Sequence, residues 1–296
     1  MILEKRNHHE RDDFIIFDPV PHVYTILTDP KSKYTSVTTW IHSHFKKFDA
    51  DQIIGKMMSG KNWNKENRYW GMTAKDIKAL WDDNGKKQSQ AGTDLHYEIE
   101  CFNNGELTDR KGFFLEQSNE KEKYTNGDLL KSFNKNGNEN ADNQKPEWGY
   151  FLNYIKDHSN YIPYRTEWMV YHEKYKLSGS IDMVYEDPTT KSLWIYDWKR
   201  CKDIQKKTNF HEYSTTECIC HIPDTNYWHY AIQLNTYKRI LEEKYEKQVT
   251  DLYLVILHPN NSNENYMKIQ MPDLSEEITV LLEERLKTLE SEKGDL

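Results

Sequence analysis

Between Leu177 and Arg200 two strand patterns face each other across a turn, and this stretch restricts the fold of the 296-residue chain more than any other. Ser180-Ile181-Asp182-Met183-Val184-Tyr185 alternates as a strand does, and Asp187-Pro188-Thr189-Thr190 is a turn signal. The run from Ser192 to Lys199 is rich in aromatic and β-branched residues. Strand side chains alternate faces, so Asp197 and Lys199 are expected to project together while Trp198 points the other way. Paired as a hairpin, the two runs bring Asp182 beside that pair. Two carboxylates at one place repel, and one takes up a proton unless positive charge lies between them. A divalent cation meets that need: Mg²⁺ is commonly held by one or two carboxylates plus waters and phosphates, with a nearby lysine facing a phosphate or a water.

Two further spacings add to this. His96 and Glu100 in Gly92-Thr93-Asp94-Leu95-His96-Tyr97-Glu98-Ile99-Glu100 lie one helical turn apart, as do Gln233 and Tyr237 in a helix read from Tyr227 to Tyr245. By themselves both pairs are also ordinary polar features of a helix surface. Asp182 followed fifteen residues on (197 minus 182) by Asp197-x-Lys199 resembles the active-site motif of the PD-(D/E)XK nuclease superfamily. Ile181 stands where the proline that names the motif would be, a departure that many members share. The Gly-Thr-x-x-His-x-x-x-Glu and Gln-x-x-x-Tyr patterns, in this order around it, are similar to those of the RecB-like group, which includes phage and mitochondrial exonucleases.

The resemblance covers about residues 92–259 and implies an α/β fold: a restriction-endonuclease-like core with a mixed β-sheet flanked by helices. It implies a metal-dependent nuclease, in the first instance a DNA exonuclease for single-stranded or end-containing DNA in replication, repair or recombination, working with partner proteins of those processes. Asp182, Asp197, the Trp198 carbonyl and His96 would hold Mg²⁺ or Mn²⁺, the imidazole shading the preference toward manganese. Lys199 would position the attacking water, Gln233 and Tyr237 would contact the strand, and Glu100 and Glu167 would be auxiliary ligands or support the ligands. Of the chain's four cysteines none follows Cys220, so the iron–sulfur cluster of some RecB-type enzymes is not expected. An RNA endonuclease with a His-containing site and a non-catalytic nucleic-acid-binding subunit remain alternatives.

Around this core, Phe14–Phe17 and His22–Leu27 predict a small N-terminal β-hairpin about Asp18-Pro19-Val20-Pro21. Ser36 is a candidate N-cap for a helix with Trp40, Ile41, His44 and Phe45 at helical spacing. Ser36 and Thr38 are alternatively read as nucleic-acid contacts, because helix N-termini bind phosphate. Residues 63–81 read as helices with three tryptophans, for a core or for stacking on bases, and Thr73 as a cap. The expected organisation is a hairpin and helical region over residues 1–90 packed on a nuclease core over 91–296, with a polar Asn/Lys/Glu/Gly insertion at about 103–147 that lacks a core of its own. Helices are expected over Trp148–Ile155 and Ser275–Leu289, and strands over Arg165–Tyr171, Asp251–His258 and Tyr266–Gln270. Cys218-x-Cys220-His221 invites a metal reading but matches no common zinc spacing.

A net charge of −8 argues against a broad cationic surface, and a nucleic-acid role would require the lysines to collect at a narrow groove. No apolar run approaches the roughly 20 residues that cross a bilayer, no signal peptide is evident at the start, and the cysteines read as reduced thiols. The expectation is an intracellular protein without a membrane role, and the Asn- and Lys-rich composition hints at an AT-rich genome, a viral one being one option.

Overall fold

The structure, a computed structural model, describes residues 1–106, 113–115, 122–135, 145–208 and 212–294. Its frame is a six-stranded mixed sheet. Strands β4 (Ile162–His172), β5 (Leu177–Glu186) and β6 (Leu193–Lys199) follow one another antiparallel, as the alternation and the turn at Asp187 require. Helix α7 (Asn226–Lys244) then carries the chain over to β7 (Val249–Ile256), which lies parallel to β6, and β8 (Met267–Gln270) closes that edge antiparallel. A two-residue strand, β3 (Thr35–Ser36), pairs parallel with the start of β5. The expected N-terminal hairpin is present as β1 (Ile15–Asp18) and β2 (Val23–Ile26).

Helices cover both faces of the sheet, and each face has its own core. On one side α2 (Val37–His42), α7 and α8 (Ser275–Gly294) bury Val37, Trp40, Ile232, Leu241, Ile278 and Leu281 against Trp168, Ile181, Ile195 and Leu254. On the other, α1 (Ile2–Arg6), α4 (Ala74–Asn103) and α6 (Pro146–Asp157) bury Leu3, Leu95, Ile99, Phe102, Phe151 and Tyr154 against Met183, Tyr196, Trp198 and Val255. Leu95, Ile99 and Phe102 stand at i, i+4 and i+7, so one stripe of α4 faces the sheet and His96 and Glu100 ride on its flank.

Two observations bear on the expected organisation. Helix α4 runs unbroken for 30 residues, about 45 Å at 1.5 Å per residue. It therefore crosses position 90, where the chain was divided. Its start is held by the Thr73–Asp76 capping box, as the cap reading of Thr73 anticipates, and by a small cluster of Ile54, Tyr69 and Ile77 shared with α3 (Ala50–Ser59). Residues 82–90 are exposed throughout. The second observation concerns the insertion at 103–147. Its segments 107–112, 116–121 and 136–144 lie outside the described residues, but α5 (Asn126–Lys135) is a formed helix whose Leu129 and Phe133 enter the second core. Phe133 meets Phe102, Phe114 and Trp148 at ring separations of 5.3, 5.3 and 6.3 Å.

The N-terminal segment anchors the strand before the motif. Asp12 accepts from Arg165 Nη1 at 2.6 Å and from Trp168 Nε1 at 2.9 Å, so one carboxylate holds residues on both sides of Glu167. Asn104, at the end of α4, donates to Thr166 Oγ1 and accepts from the backbone of Leu3.

Truncating Leu129, which is fully buried, is expected to cost about 2–5 kcal/mol, the usual range for Leu→Ala in a core. Urea unfolding of Leu129→Ala checks this, and an unchanged midpoint would contradict the packing of α5.

Candidate metal centre

The sheet forks at the residues that carry the motif. Pairing of β5 with β6 extends from Glu186–Leu193 to Met183–Tyr196 and stops there, while β3 occupies the same edge of β5 only at Leu177 and Ser178. Gly179 to Asp182 lie in the gap between them. Asp182 stands one position past the last β5–β6 pair, and its Oδ2 accepts the backbone N–H of Trp198 at 3.1 Å, a donor the ladder has released. Packing changes sides at this point, Ile181 belonging to the first core and Met183 to the second.

Glu167 reaches the same place from β4. It lies between Thr166 and Trp168, which pair with Met183 and Ile181, so it stands opposite Asp182. Its φ is +42°, a left-handed conformation inside a strand that costs a non-glycine residue of order 1–3 kcal/mol and is typical of functional positions. Ser180 Oγ donates to Glu167 Oε2 at 2.9 Å, which leaves Oε1 toward His96.

His96 completes the set from α4. Its Nε2 donates to the Trp198 carbonyl at 2.8 Å, and its Nδ1 is 3.7 Å from Asp182 Oδ2 and 3.8 Å from Glu167 Oε1. One donor atom from each of His96, Glu167 and Asp182 lies within 4.8 Å of the others, all on half-buried side chains. A metal-binding histidine usually gives its second ring nitrogen to a carbonyl or carboxylate, which fixes the ring, and Trp198 serves His96 in this way. The hard oxygen and imidazole donors fit Mg²⁺ or Mn²⁺.

Asp197 and Lys199 project together, as the strand alternation requires, with Lys199 Nζ 2.7 Å from Asp197 Oδ2. That oxygen is buried, and Lys199, with His96 farther off, meets its charge. Burial raises the Asp197 carboxyl, Lys199 pulls it down, Asp182 pushes it up, and the outcome is about 6. Asp182 is likewise raised, chiefly by burial, against the opposing pull of His96 and Lys199. Burial opposes the charge on His96, but Asp182 and Glu167 outweigh it and lift the imidazole to about 9. Lys199 is raised well above the ordinary lysine value, Asp197 and Asp182 overcoming burial. The site thus balances its carboxylates with an imidazolium and an ammonium.

The remaining sequence candidates divide. Gln233 is half-buried and lines a cavity with Lys199 and Thr38. Tyr237 is only 3% exposed and lies under the fork, so it supports the floor and does not present itself to a strand in solvent. A Cβ on Gly179 would come 2.6 Å from Tyr237 Oη, and only glycine permits this approach. Ser36 Oγ accepts from Thr39 N at 3.1 Å, which makes it the cap, and α2 is a six-residue helix. Glu100 borders a small cavity with Thr166, Glu167 and Met169. Exposed Cys218 and Cys220 belong to no metal-ligand group among the described residues, and His221 is 3.3 Å from Glu277. Two neighbours escaped the sequence reading. Tyr230 lies beside Lys199, its ring centre 4.9 Å from Nζ, and the charges of Glu167 and Asp182 bear on the Tyr24 phenol from the hairpin. Tyr230 was detectable at i−3 from Gln233, but Tyr24 had no local signal.

No protein-family model matches the chain, and a search of curated proteins finds no match. Among the described residues no helix is long and apolar enough to cross a membrane.

Two predictions come from this geometry. His96 holds its proton through neutral pH because its folded value lies above the ordinary 6.5, and an ion taking Nδ1 must displace that proton. Mn²⁺ affinity is therefore expected to rise about tenfold per pH unit from pH ~7 to ~9, with about one proton released per ion. Calorimetry in buffers of different ionisation heat reads this, and a flat profile for the wild type contradicts it. Gly179→Ala forces Tyr237 aside and is expected to cost about 1–3 kcal/mol in urea unfolding, a strain that Gly→Ala in open backbone would not show.

Proposed function

We propose that the protein is a metal-dependent nuclease of the PD-(D/E)XK, RecB-like kind, acting as a DNA exonuclease on single-stranded or end-containing DNA in replication, repair or recombination. The observation that carries this is the Asp197–Lys199 pair at the end of β6, beside the His96, Glu167 and Asp182 donors. The order of helix α4, strands β4 to β6, helix α7 and parallel strand β7 supports it, being the element order of that superfamily's core.

His96, Glu167 and Asp182 would hold Mg²⁺ or Mn²⁺; of the other expected ligands, Asp197 is not in that group and pairs with Lys199, and the Trp198 carbonyl accepts from His96. Such an ion supplies positive charge to the scissile phosphate and acidifies water. Lys199 keeps its proton at working pH, so it orients water and phosphate as a donor and does not act as a base. Asp197, its carboxyl raised by burial against the pull of Lys199, would accept the proton of the attacking water. The water oxygen bonds to phosphorus, the ester oxygen leaves, and the leaving oxygen takes a proton from solvent.

A net charge of −8 favours a second reading, a nucleic-acid-binding subunit that depends on a larger assembly for affinity. Lys199→Ala separates the two. Cleavage of linear single-stranded DNA in Mn²⁺ is expected to fall at least about 100-fold. Mn²⁺ binding should be kept or strengthened, because a buried positive charge beside the carboxylates is lost. Equal cleavage by wild type and variant would sink the proposal.

A further inference from the structure

Next to Lys199, helices α2 and α7 leave a cavity of about 370 Å³ between them. Its walls are two helical stripes: Thr38, Ile41 and His42 from α2 (i, i+3, i+4) and Asn226, His229, Tyr230 and Gln233 from α7 (i, i+3, i+4, i+7). Ile41 and Ala231 are both buried in the first core, and Tyr230 packs against that core while bordering the cavity.

The walls are built and not merely exposed. His229 is held by Asp224, Nε2 to Oδ1 at 2.9 Å, and its ring packs on Phe45 at 4.1 Å. His42 stands edge-on to it at 5.7 Å. Tyr230 is fixed against Lys199. The lining contains flat rings, two amides, the hydroxyls of Thr38 and Tyr230 and one ammonium, with Asp224 behind His229 and Asp197 beside Lys199. Ring faces, an amide and an ammonium suit a planar heteroaromatic base attached to an anion. The volume lies at the lower end of single-ligand sites, roughly 300–1,000 Å³, enough for one nucleotide and too small for a base pair with both its backbones.

We propose that this pocket receives one unpaired nucleotide next to the scissile phosphate. The phosphate lies toward Lys199, the base lies between His42, His229 and Tyr230, and Gln233 offers a hydrogen bond to the base edge, while the Asn226 amide is tied to the backbone of Asp203 and Gln205 and shapes the wall. This rests on the nuclease reading and deepens it: the pocket selects a frayed or single-stranded end, because a paired nucleotide cannot enter.

The test measures binding and hydrolysis separately. Calorimetry of the full chain in EDTA compares thymidine 5′-monophosphate with 2-deoxyribose 5-phosphate, which has the phosphate and sugar but no base. The nucleotide is expected to bind at least about tenfold tighter, the effect of a stacking contact. Thr38→Trp, at an exposed position on the rim, fills the cavity and is expected to remove that difference; the thermal midpoint confirms that the variant is folded. Equal binding of the two probes, no binding of either, or a difference that survives Thr38→Trp overturns the pocket. Hydrolysis of bis-p-nitrophenyl phosphate by the wild type in Mn²⁺, a small diester without a base, reads the catalytic reading on its own. If it is hydrolysed and the probes bind alike, only the pocket fails. If it is untouched while the nucleotide binds selectively, only the nuclease reading fails.

Discussion

Everything at the candidate site depends on the fork of the sheet at β5. A continuous ladder from Leu177 to Glu186 would tie up the backbone and fill the space with cross-strand pairs. Instead the edge of β5 passes from β6 to β3 with four residues between. Into that gap go the Tyr237 ring on Gly179, the Asp182 carboxylate on the freed N–H of Trp198, and the His96 imidazole on the Trp198 carbonyl. The fork is also why the site has unbalanced charge: side chains that would face neighbouring strands face one another. Crevices where strand order divides are common ligand sites in α/β sheets for the same reason.

Holding charges so close requires support from outside the motif. Glu167 sits at positive φ, and the residues on either side of it are tied down: Arg165 and Trp168 to Asp12, Thr166 to Asn104. A buried ion pair such as Arg165–Asp12 contributes little net stability, yet losing one partner typically costs about 3–5 kcal/mol. Its role is to fix position. The N-terminal segment and the end of α4 are thus part of the site's scaffold, although they carry none of the donor atoms except His96.

Legibility in the sequence followed locality. Asp182, Asp197 and Lys199 were found because period-two alternation and one turn determine which side chains meet across a hairpin. His96 and Gln233 were singled out by the resemblance to the RecB-like patterns, since one-turn spacing alone marks only a shared helix face. Glu167 was placed on the right strand, but its direct approach to His96 depends on a left-handed residue that no pattern signals. The Trp198 carbonyl was read as a ligand because the hydrogen bond from a helix 102 residues earlier was invisible. Helix α4 was divided because its exposed middle has no apolar stripe between Trp81 and Leu95. Helix α5 was missed because Leu129 and Phe133 stand nearly alone among Asn, Lys and Asp, and only the surrounding aromatic cluster makes those two residues sufficient.

The central claim is that this fork, with its histidine, carboxylates and lysine, makes a cation-dependent centre that cuts DNA from an end. The most direct measurement offers end-labelled single-stranded DNA, linear or circular, to the wild type and to Asp197→Ala in Mg²⁺, Mn²⁺ or EDTA. The account predicts loss of the linear strand alone, only with a divalent cation, and none with the variant. Intact linear DNA with both metals, or equal cutting of linear DNA in EDTA, would contradict it.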